Sequence, residues 1–137
     1  MRNIVDSYGK NAGKIWTTLE TQGSLSENKL IKTTKLDEDE FYAAVGWLAR
    51  ENKIIKQGSV YRLGQSRTNW SKTIGRNAGK IWKTLENWGE VDAPYLPTLT
   101  NLTVRDAYSA LGWLAKEGKL HAKWVKPKKP QMKFKIR

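Results

Sequence analysis

The sequence predicts an α+β, mainly α fold in which one small domain occurs twice in tandem, and three observations predict it. The segment GKNAGKIW at residues 9–16 returns as GRNAGKIW at residues 75–82. The segment GWLARENKI at residues 46–54 returns as GWLAKEGKL at residues 112–120, at the same offset of 66. Each copy also carries helical apolar periodicity followed by two short extended runs. Two tandem copies of one fold explain this pattern better than chance.

The repeat sets the domain boundaries. It divides the 137 residues into a first domain at residues 1–64, a linker at residues 65–71 and a second domain at residues 72–137. A domain of about 65 residues has only a marginal core of its own, and so short a linker keeps two domains close together. We therefore expect the two copies to pack against each other.

A long first helix is predicted in each copy. Ser7 and Thr73 can cap its amino terminus, and Gly23 and Gly89 stand where a left-handed residue would end it. Its apolar residues recur at helical spacing. They are Tyr8, Ala12, Ile15, Trp16 and Leu19 in copy one and Ile74, Ala78, Ile81, Trp82 and Leu85 in copy two.

A short second helix and a third helix follow. Ser26 can cap the second helix in copy one, whereas Pro94 and Pro97 shorten it in copy two. The end of the third helix is marked by Asn52 and Gly118, residue types that tolerate a positive φ. Its apolar stripe has the spacing of an amphipathic helix. The stripe comprises Phe41, Ala44, Val45 and Leu48 in copy one and Ala107, Ala110, Leu111 and Leu114 in copy two.

Two extended runs follow each third helix. In copy one, residues 53–56 and 60–63 flank a tight turn. In copy two, residues 120–125 and 132–137 flank a longer, basic tip with two prolines, and apolar and basic residues alternate along the second run. Three helices followed by a two-stranded β-wing make a winged helix-turn-helix domain, so the sequence predicts two of them in tandem.

The residues that the two copies share also resemble those of a known family. The pattern Asn-x-Gly-x-x-Trp in the first helix and Gly-Trp-Leu-Ala-[Arg/Lys]-Glu at the end of the third are similar to a small winged helix-turn-helix family of bacteria and archaea, known as a domain of unknown function. The resemblance covers both copies. It implies DNA binding by architecture rather than a described reaction. It also implies that the two copies form a pseudo-dimer within one polypeptide, so that the whole chain can be a monomer.

The charge of the chain favours a polyanionic partner. There are 25 Lys and Arg against 13 Asp and Glu, which gives a net charge of +12. Residues 71–137 hold 14 basic and 5 acidic side chains, whereas residues 1–70 hold 11 and 8. The second copy should therefore dominate electrostatic binding. The alternative is that the charge serves solubility alone.

Several classes of function are disfavoured by composition. The chain has no cysteine and one histidine, His121, which argues against a zinc site or a histidine-dependent triad. The spacing of Gly9, Gly13 and Lys14 is one residue short of a phosphate-binding loop. We expect no enzyme activity, no cofactor and no metal. No apolar run is long enough to cross a membrane and no signal peptide is evident, so a cytoplasmic, nucleoid-associated protein is expected.

The third helix is the element that usually enters the major groove in this architecture. Copy one places four carboxylates at its start, at residues 37–40, which DNA would repel and which complement the positive helix end. Copy two has Thr103, Arg105 and Ser109 in the corresponding region, and Arg105 could reach a guanine edge or a phosphate. Copy two is therefore the better recognition helix.

The second wing is the strongest candidate for contact with nucleic acid, because its basic residues suit it to follow a phosphate backbone or enter a minor groove. The alternative is a charged edge that prevents aggregation. The basic residues of the second wing are Lys123, Lys126, Lys128, Lys129, Lys133, Lys135 and Arg137. The first helices add candidates that could touch phosphates or could form a solvated helix face. These are Lys10, Lys14, Arg76, Lys80 and Lys83.

The sequence thus predicts a protein that binds double-stranded DNA mainly through phosphates, with low sequence preference, in a nucleoid-associated or transcription-regulatory role. The alternative is a protein or RNA adaptor, for example on a ribosome, that uses the acidic third helix of copy one. Trp70, Trp88 and Trp124 do not recur between the copies. They would fill the interface between the copies or contact a partner.

Overall fold

Both copies adopt the same order of elements in a computed structural model, which describes residues 4–125 and 131–136 and the side chains of residues 4–121 and 134–136. The model confirms a mainly helical α+β fold with two winged helix-turn-helix domains. Copy one comprises α1 (Ile4–Gln22), β1 (Leu25–Ser26), α2 (Glu27–Thr34), α3 (Glu38–Arg50), β2 (Ile54–Gln57) and β3 (Val60–Leu63). Copy two comprises α4 (Asn69–Trp88), β4 (Val91–Asp92), α5 (Leu96–Thr100), α6 (Val104–Lys116), β5 (Leu120–Val125) and β6 (Gln131–Ile136).

Each wing has a third strand that the sequence did not reveal. Strand β1 pairs with β3, with Leu25 opposite Tyr61, and β4 pairs with β6, with Val91 opposite Phe134. The strand orders are β1-β3-β2 and β4-β6-β5, all antiparallel. A strand of two residues is too short to show an alternating pattern, so only the tertiary structure reveals it.

The first helices begin earlier than predicted. Helix α1 contains Ser7, and α4 begins at Asn69, inside the segment predicted as a linker. Its N-cap is Thr68 rather than Thr73, because the Thr68 hydroxyl accepts from the Ser71 N–H at 3.3 Å and the Ser71 hydroxyl oxygen accepts from the Thr68 N–H at 2.9 Å. The result is one more turn of helix at the start of copy two.

The helix ends and the short second helix of copy two follow the prediction. Gly23 and Gly89 have positive φ angles of 80° and 79°, and Asn52 and Gly118 have φ angles of 60° and 73°. Helix α5 has only five residues and contains Pro97, after a 3-10 turn at residues 93–95. The two prolines therefore shorten this helix as expected.

The third helices of the two copies pack against each other at the centre of the molecule. A Cβ atom on Gly46 would overlap the Ser109 carbonyl oxygen, and one on Gly112 would overlap the Ala43 carbonyl oxygen. The two contacts are equivalent under the offset of 66, because Ala43 corresponds to Ser109 and Gly46 to Gly112. Helices α3 and α6 thus form an isologous, pseudo-two-fold interface within one chain.

Charged and aromatic side chains repeat this symmetry at one end of the interface. Arg50 Nε lies 3.0 Å from Glu117 Oε2, and Lys116 Nζ lies 3.7 Å from Glu51 Oε2. The same two cations lie over tryptophan rings, Arg50 at 5.7 Å from the Trp113 centroid and Lys116 at 5.6 Å from the Trp47 centroid. Partly exposed pairs contribute little free energy singly, and their reciprocity reflects the pseudo-two-fold symmetry of the α3–α6 contact.

Glycines in the first helices admit these tryptophans. A Cβ on Gly9 would lie 2.9 Å from the Trp47 ring, and one on Gly75 would lie 3.0 Å from the Trp113 ring. Gly9 and Gly75 therefore allow the third helix to approach the first helix closely in each copy. Gly13 is different, because a Cβ there would meet nothing within 4 Å.

The other end of the interface buries tyrosines. Tyr108 of α6 is 7% exposed. Burial, followed by the charge of Asp39 and a hydrogen bond to its carboxylate, raises the pKa of Tyr108 to about 12. Tyr108 therefore holds its proton at a pH where tyrosines of an unfolded chain, with a pKa near 10, have lost theirs.

We predict that Gly46→Ala destabilises the protein by about 1–3 kcal/mol, because the added methyl group must push the third helices apart. Gly13→Ala is the matched control. It lies in a helix interior with open space beside it and should stabilise by roughly 0.5–1 kcal/mol. Urea unfolding followed by circular dichroism measures both. Equal stability of Gly46→Ala and the parent would contradict the close contact described above.

We also predict that alkaline pH weakens the fold through Tyr108. A raised pKa in the folded state means that its contribution is complete below pH 10 and is lost as pH rises towards 12. Tyr108→Phe should therefore reduce the fall in unfolding free energy between pH 9 and 11 by roughly 1 kcal/mol. Tyr95→Phe, which changes a 61% exposed tyrosine, is the control. Identical pH profiles for the two variants would refute this role of Tyr108.

Candidate nucleic-acid interface

The third helix of copy two is exposed at its two ends, in its first turn and at Lys116, and is buried in its middle. Ser109, expected to face DNA, is 6% exposed and lies against Gly46 of copy one. Thr103, Val104 and Arg105 are exposed. The expectation for Ser109 is corrected by the packing of α3 on α6, since the middle of the helix is covered by the other copy.

Arg105 contacts copy one rather than projecting freely. Its Nη2 lies 3.4 Å from Glu27 Oε2, and its guanidinium lies 5.3 Å from the centroid of the Tyr42 ring. Glu27 also accepts hydrogen bonds from the hydroxyls of Tyr61 at 2.7 Å and Tyr42 at 3.1 Å. The Arg105 side chain remains 52% exposed, so a phosphate could approach it from the solvent side.

Thr103 and Asp37 are the N-cap residues of the two third helices. The Thr103 hydroxyl accepts a hydrogen bond from the Asp106 N–H at 3.1 Å. In copy one, the Glu40 carboxylate accepts from the N–H of the N-cap residue Asp37 at 3.2 Å. The acidic start of α3 therefore complements the positive helix end, as the sequence indicated.

Helix α4 presents a row of basic side chains on the face opposite its core residues. Lys72, Arg76, Lys80 and Lys83 are all exposed and follow each other at intervals of three or four residues. We call these four residues the basic stripe. Lys72 is absent from the predicted residues because the helix was expected to begin at the predicted cap, Thr73. The earlier start of α4 at Asn69 brings Lys72 into phase with the other three basic residues.

The equivalent face of α1 is less basic. Lys10 and Lys14 are exposed there, which fits both of the predicted alternatives, a phosphate contact and a solvated helix face. However, Asp6 corresponds to Lys72 and Thr17 corresponds to Lys83. The basic stripe of copy two therefore carries four positive charges, whereas the four equivalent positions of copy one carry a net charge of +1.

The second wing follows the predicted alternation where it is described. Phe134 is fully buried and Lys135 is exposed. Strand β5 pairs with β6 so that Lys123 lies opposite Lys133 along the backbone. The side chains of Lys123 and Lys133 lie outside the described residues. So do all atoms of Lys126, Lys128, Lys129 and Arg137.

Tryptophans divide into structural and exposed ones. The recurring residues Trp16, Trp47, Trp82 and Trp113 are partly buried against the core. Trp70 packs edge-on against Tyr61 of copy one at a centroid distance of 6.0 Å, so it lies between the copies. The side chain of Trp124 lies outside the described residues.

Trp88 is different, because it is 65% exposed and belongs to an apolar surface of copy two. It lines a pocket of about 280 Å³ together with Tyr95 and Leu99, which are 61% and 40% exposed. We call these three side chains the apolar patch. The corresponding residues of copy one are polar, namely Gln22, Lys29 and Thr33.

The described residues include no group of three histidine, aspartate or glutamate side chains placed to hold a metal ion. Within the same part of the chain, none of the helices has the length and apolar character needed to cross a membrane.

Comparison with known proteins identifies the repeated unit. The model of the winged helix-turn-helix domain family DUF2582 matches residues 3–64 and again residues 67–129. No curated protein and no solved structure matches the chain. The two matches reproduce the internal repeat and the two domains of the structure, and they cover nearly the whole sequence. The chain therefore belongs to the DUF2582 winged helix-turn-helix family, with two tandem copies of the domain.

Proposed function

We propose that this protein binds double-stranded DNA mainly through phosphates, with low sequence preference, in a nucleoid-associated or transcription-regulatory role. The observation that carries the proposal is the basic stripe on α4, because its four basic side chains are exposed and the equivalent positions of copy one carry a net charge of only +1. Winged helix-turn-helix domains commonly bind DNA, and phosphates attract flexible lysine and arginine side chains regardless of sequence.

Low sequence preference follows from the position of the third helices. Reading base edges requires side chains that reach the floor of the major groove. Helices α3 and α6 each bury eight of their 13 residues, so little of either helix can enter a groove. Arg105 is the one predicted base-contacting residue with an exposed charge, and its pairing with Glu27 limits its reach.

The second wing is proposed as the other contact. Its predicted residues are Lys123, Lys126, Lys128, Lys129, Lys133, Lys135 and Arg137, and exposed Lys135 shows the outward side of the alternation. A basic hairpin with prolines in its tip can follow a phosphate backbone or enter a minor groove. Because β6 packs on α4, the wing and the basic stripe are parts of one domain.

We predict unequal effects from matched charge removals in the two copies. Arg76→Ala with Lys80→Ala should reduce the salt dependence of binding to a random 20-base-pair DNA, with the slope of log K against log salt falling by about 2. Lys10→Ala with Lys14→Ala removes the same charge at equivalent positions and should have a smaller effect. Fluorescence anisotropy between 50 and 200 mM salt measures both, and equal effects would contradict a leading role for copy two.

A second prediction concerns the wing. Lys128→Ala with Lys129→Ala should weaken DNA binding at low salt by about tenfold or more, because two phosphate contacts are lost. Lys29→Ala with Lys32→Ala, on exposed positions of α2 in copy one, is the control for net charge. If both pairs weakened binding equally, the effect would come from overall charge and the wing would not be a contact surface.

The second candidate function is a protein or RNA adaptor. The apolar patch favours it, because its three exposed apolar side chains stand at positions where copy one has polar residues. A matched RNA duplex in the same anisotropy experiment separates the two proposals. Preference for RNA, or no binding to either duplex at 50 mM salt, would favour the adaptor.

A further inference from the structure

An acidic pocket of about 220 Å³ lies beside the interface between the two copies. Three carboxylates at the start of α3 meet one tyrosine from α1 and one from α6 in this pocket. It is lined by Ile4, Ser7, Tyr8, Asp37, Asp39, Glu40 and Tyr108. Burial, together with the neighbouring charges of Asp37 and Glu38, raises the pKa of Asp39. The negative charge of the ionised Asp39 carboxylate is therefore unfavourable in this pocket.

Tyr8 provides an independent sign that a ligand belongs in this pocket. Its side chain is 2% exposed, and its hydroxyl has no hydrogen-bond partner among the described residues. Burial and the charges of Asp39 and Glu40 raise the pKa of Tyr8 well above its usual value, so the hydroxyl stays protonated. A buried hydroxyl without a partner destabilises a protein, and such groups are usually satisfied by something.

The pseudo-symmetric site shows what this framework can hold. Tyr42 corresponds to Tyr108, and Arg105 corresponds to Asp39. At that site the Arg105 guanidinium lies 5.3 Å from the Tyr42 centroid and 3.4 Å from a carboxylate oxygen of Glu27. A guanidinium between a tyrosine ring and a carboxylate is therefore already accommodated once, with the cation supplied by the chain itself.

We propose that the acidic pocket binds a guanidinium group from another molecule, either an arginine side chain of a protein partner or a small alkylguanidine. The planar cation has several N–H donors for the carboxylates of Asp37, Asp39 and Glu40. The Tyr8 hydroxyl oxygen accepts a further N–H, and the Tyr108 ring covers the cation. A guanidinium suits the pocket better than a metal ion, because the described acidic side chains do not converge closely enough for metal coordination.

The test is an NMR titration of isotope-labelled protein with ethylguanidinium chloride, with total ionic strength held constant by sodium chloride. Saturable shifts should concentrate at residues 4–8, 37–40 and 108. Asp39→Asn should weaken binding by about tenfold or more, since a charged hydrogen bond is removed. Tyr8→Phe keeps the ring and should weaken binding by a smaller factor. Glu86→Gln makes the same charge change at an exposed position on α4 and should leave binding unchanged.

Two comparisons make the test decisive. Ethylammonium chloride carries the same charge, and equal affinity for it would overturn the assignment to a guanidinium. Shifts that fail to saturate, or that persist unchanged in both Asp39→Asn and Tyr8→Phe, would overturn the site. A capped Ala-Arg-Ala peptide distinguishes the source: saturable binding at least as tight as that of ethylguanidinium supports a protein partner, and weaker saturable binding supports a small alkylguanidine. Amide spectra of each variant confirm that it is folded.

Discussion

The close approach of Gly46 and Gly112 to the opposite third helix is the constraint on which the rest of the structure depends. Because each glycine lies against a backbone carbonyl, any side chain at either position would separate α3 from α6. The same contact brings Arg50 to Glu117 and places Tyr108 beside Asp39. It also covers the face of each helix that a DNA-reading domain would leave open.

The repeat places matched residues in the core and different residues at the sites. Identical pairs such as Gly46 and Gly112 or Trp47 and Trp113 build the interface. By contrast, copy two has Ala93 where copy one has Glu27, which is the carboxylate that receives Arg105. A symmetric framework thus carries two sites of opposite character: one satisfied by an internal arginine, the other lined by carboxylates and a buried tyrosine.

The sequence predicted the elements well because their signals are local. Helical spacing, glycine stops and the alternation around Phe134 are set by neighbours in the chain. The packing of one helix on another has no such local signal, as Ser109 shows. It was expected at a DNA interface, but a serine beside a small-residue helix face can equally lie buried against a partner helix. Neither that packing nor the two-residue strands β1 and β4 leave a periodic trace in the sequence.

The same packing limits how this protein could use a third helix in the usual way. Freeing α6 for a groove would separate it from α3 and expose the apolar surface now buried between the helices, at about 25 cal/mol per Å². Contacts with DNA would have to supply that free energy in addition to ordering the side chains that make them. In the proposed mode of binding, the three lysines and the one arginine of the basic stripe on α4 would contact phosphates without any such rearrangement. Peripheral contact through copy two is therefore the mode of DNA binding that leaves the central interface intact.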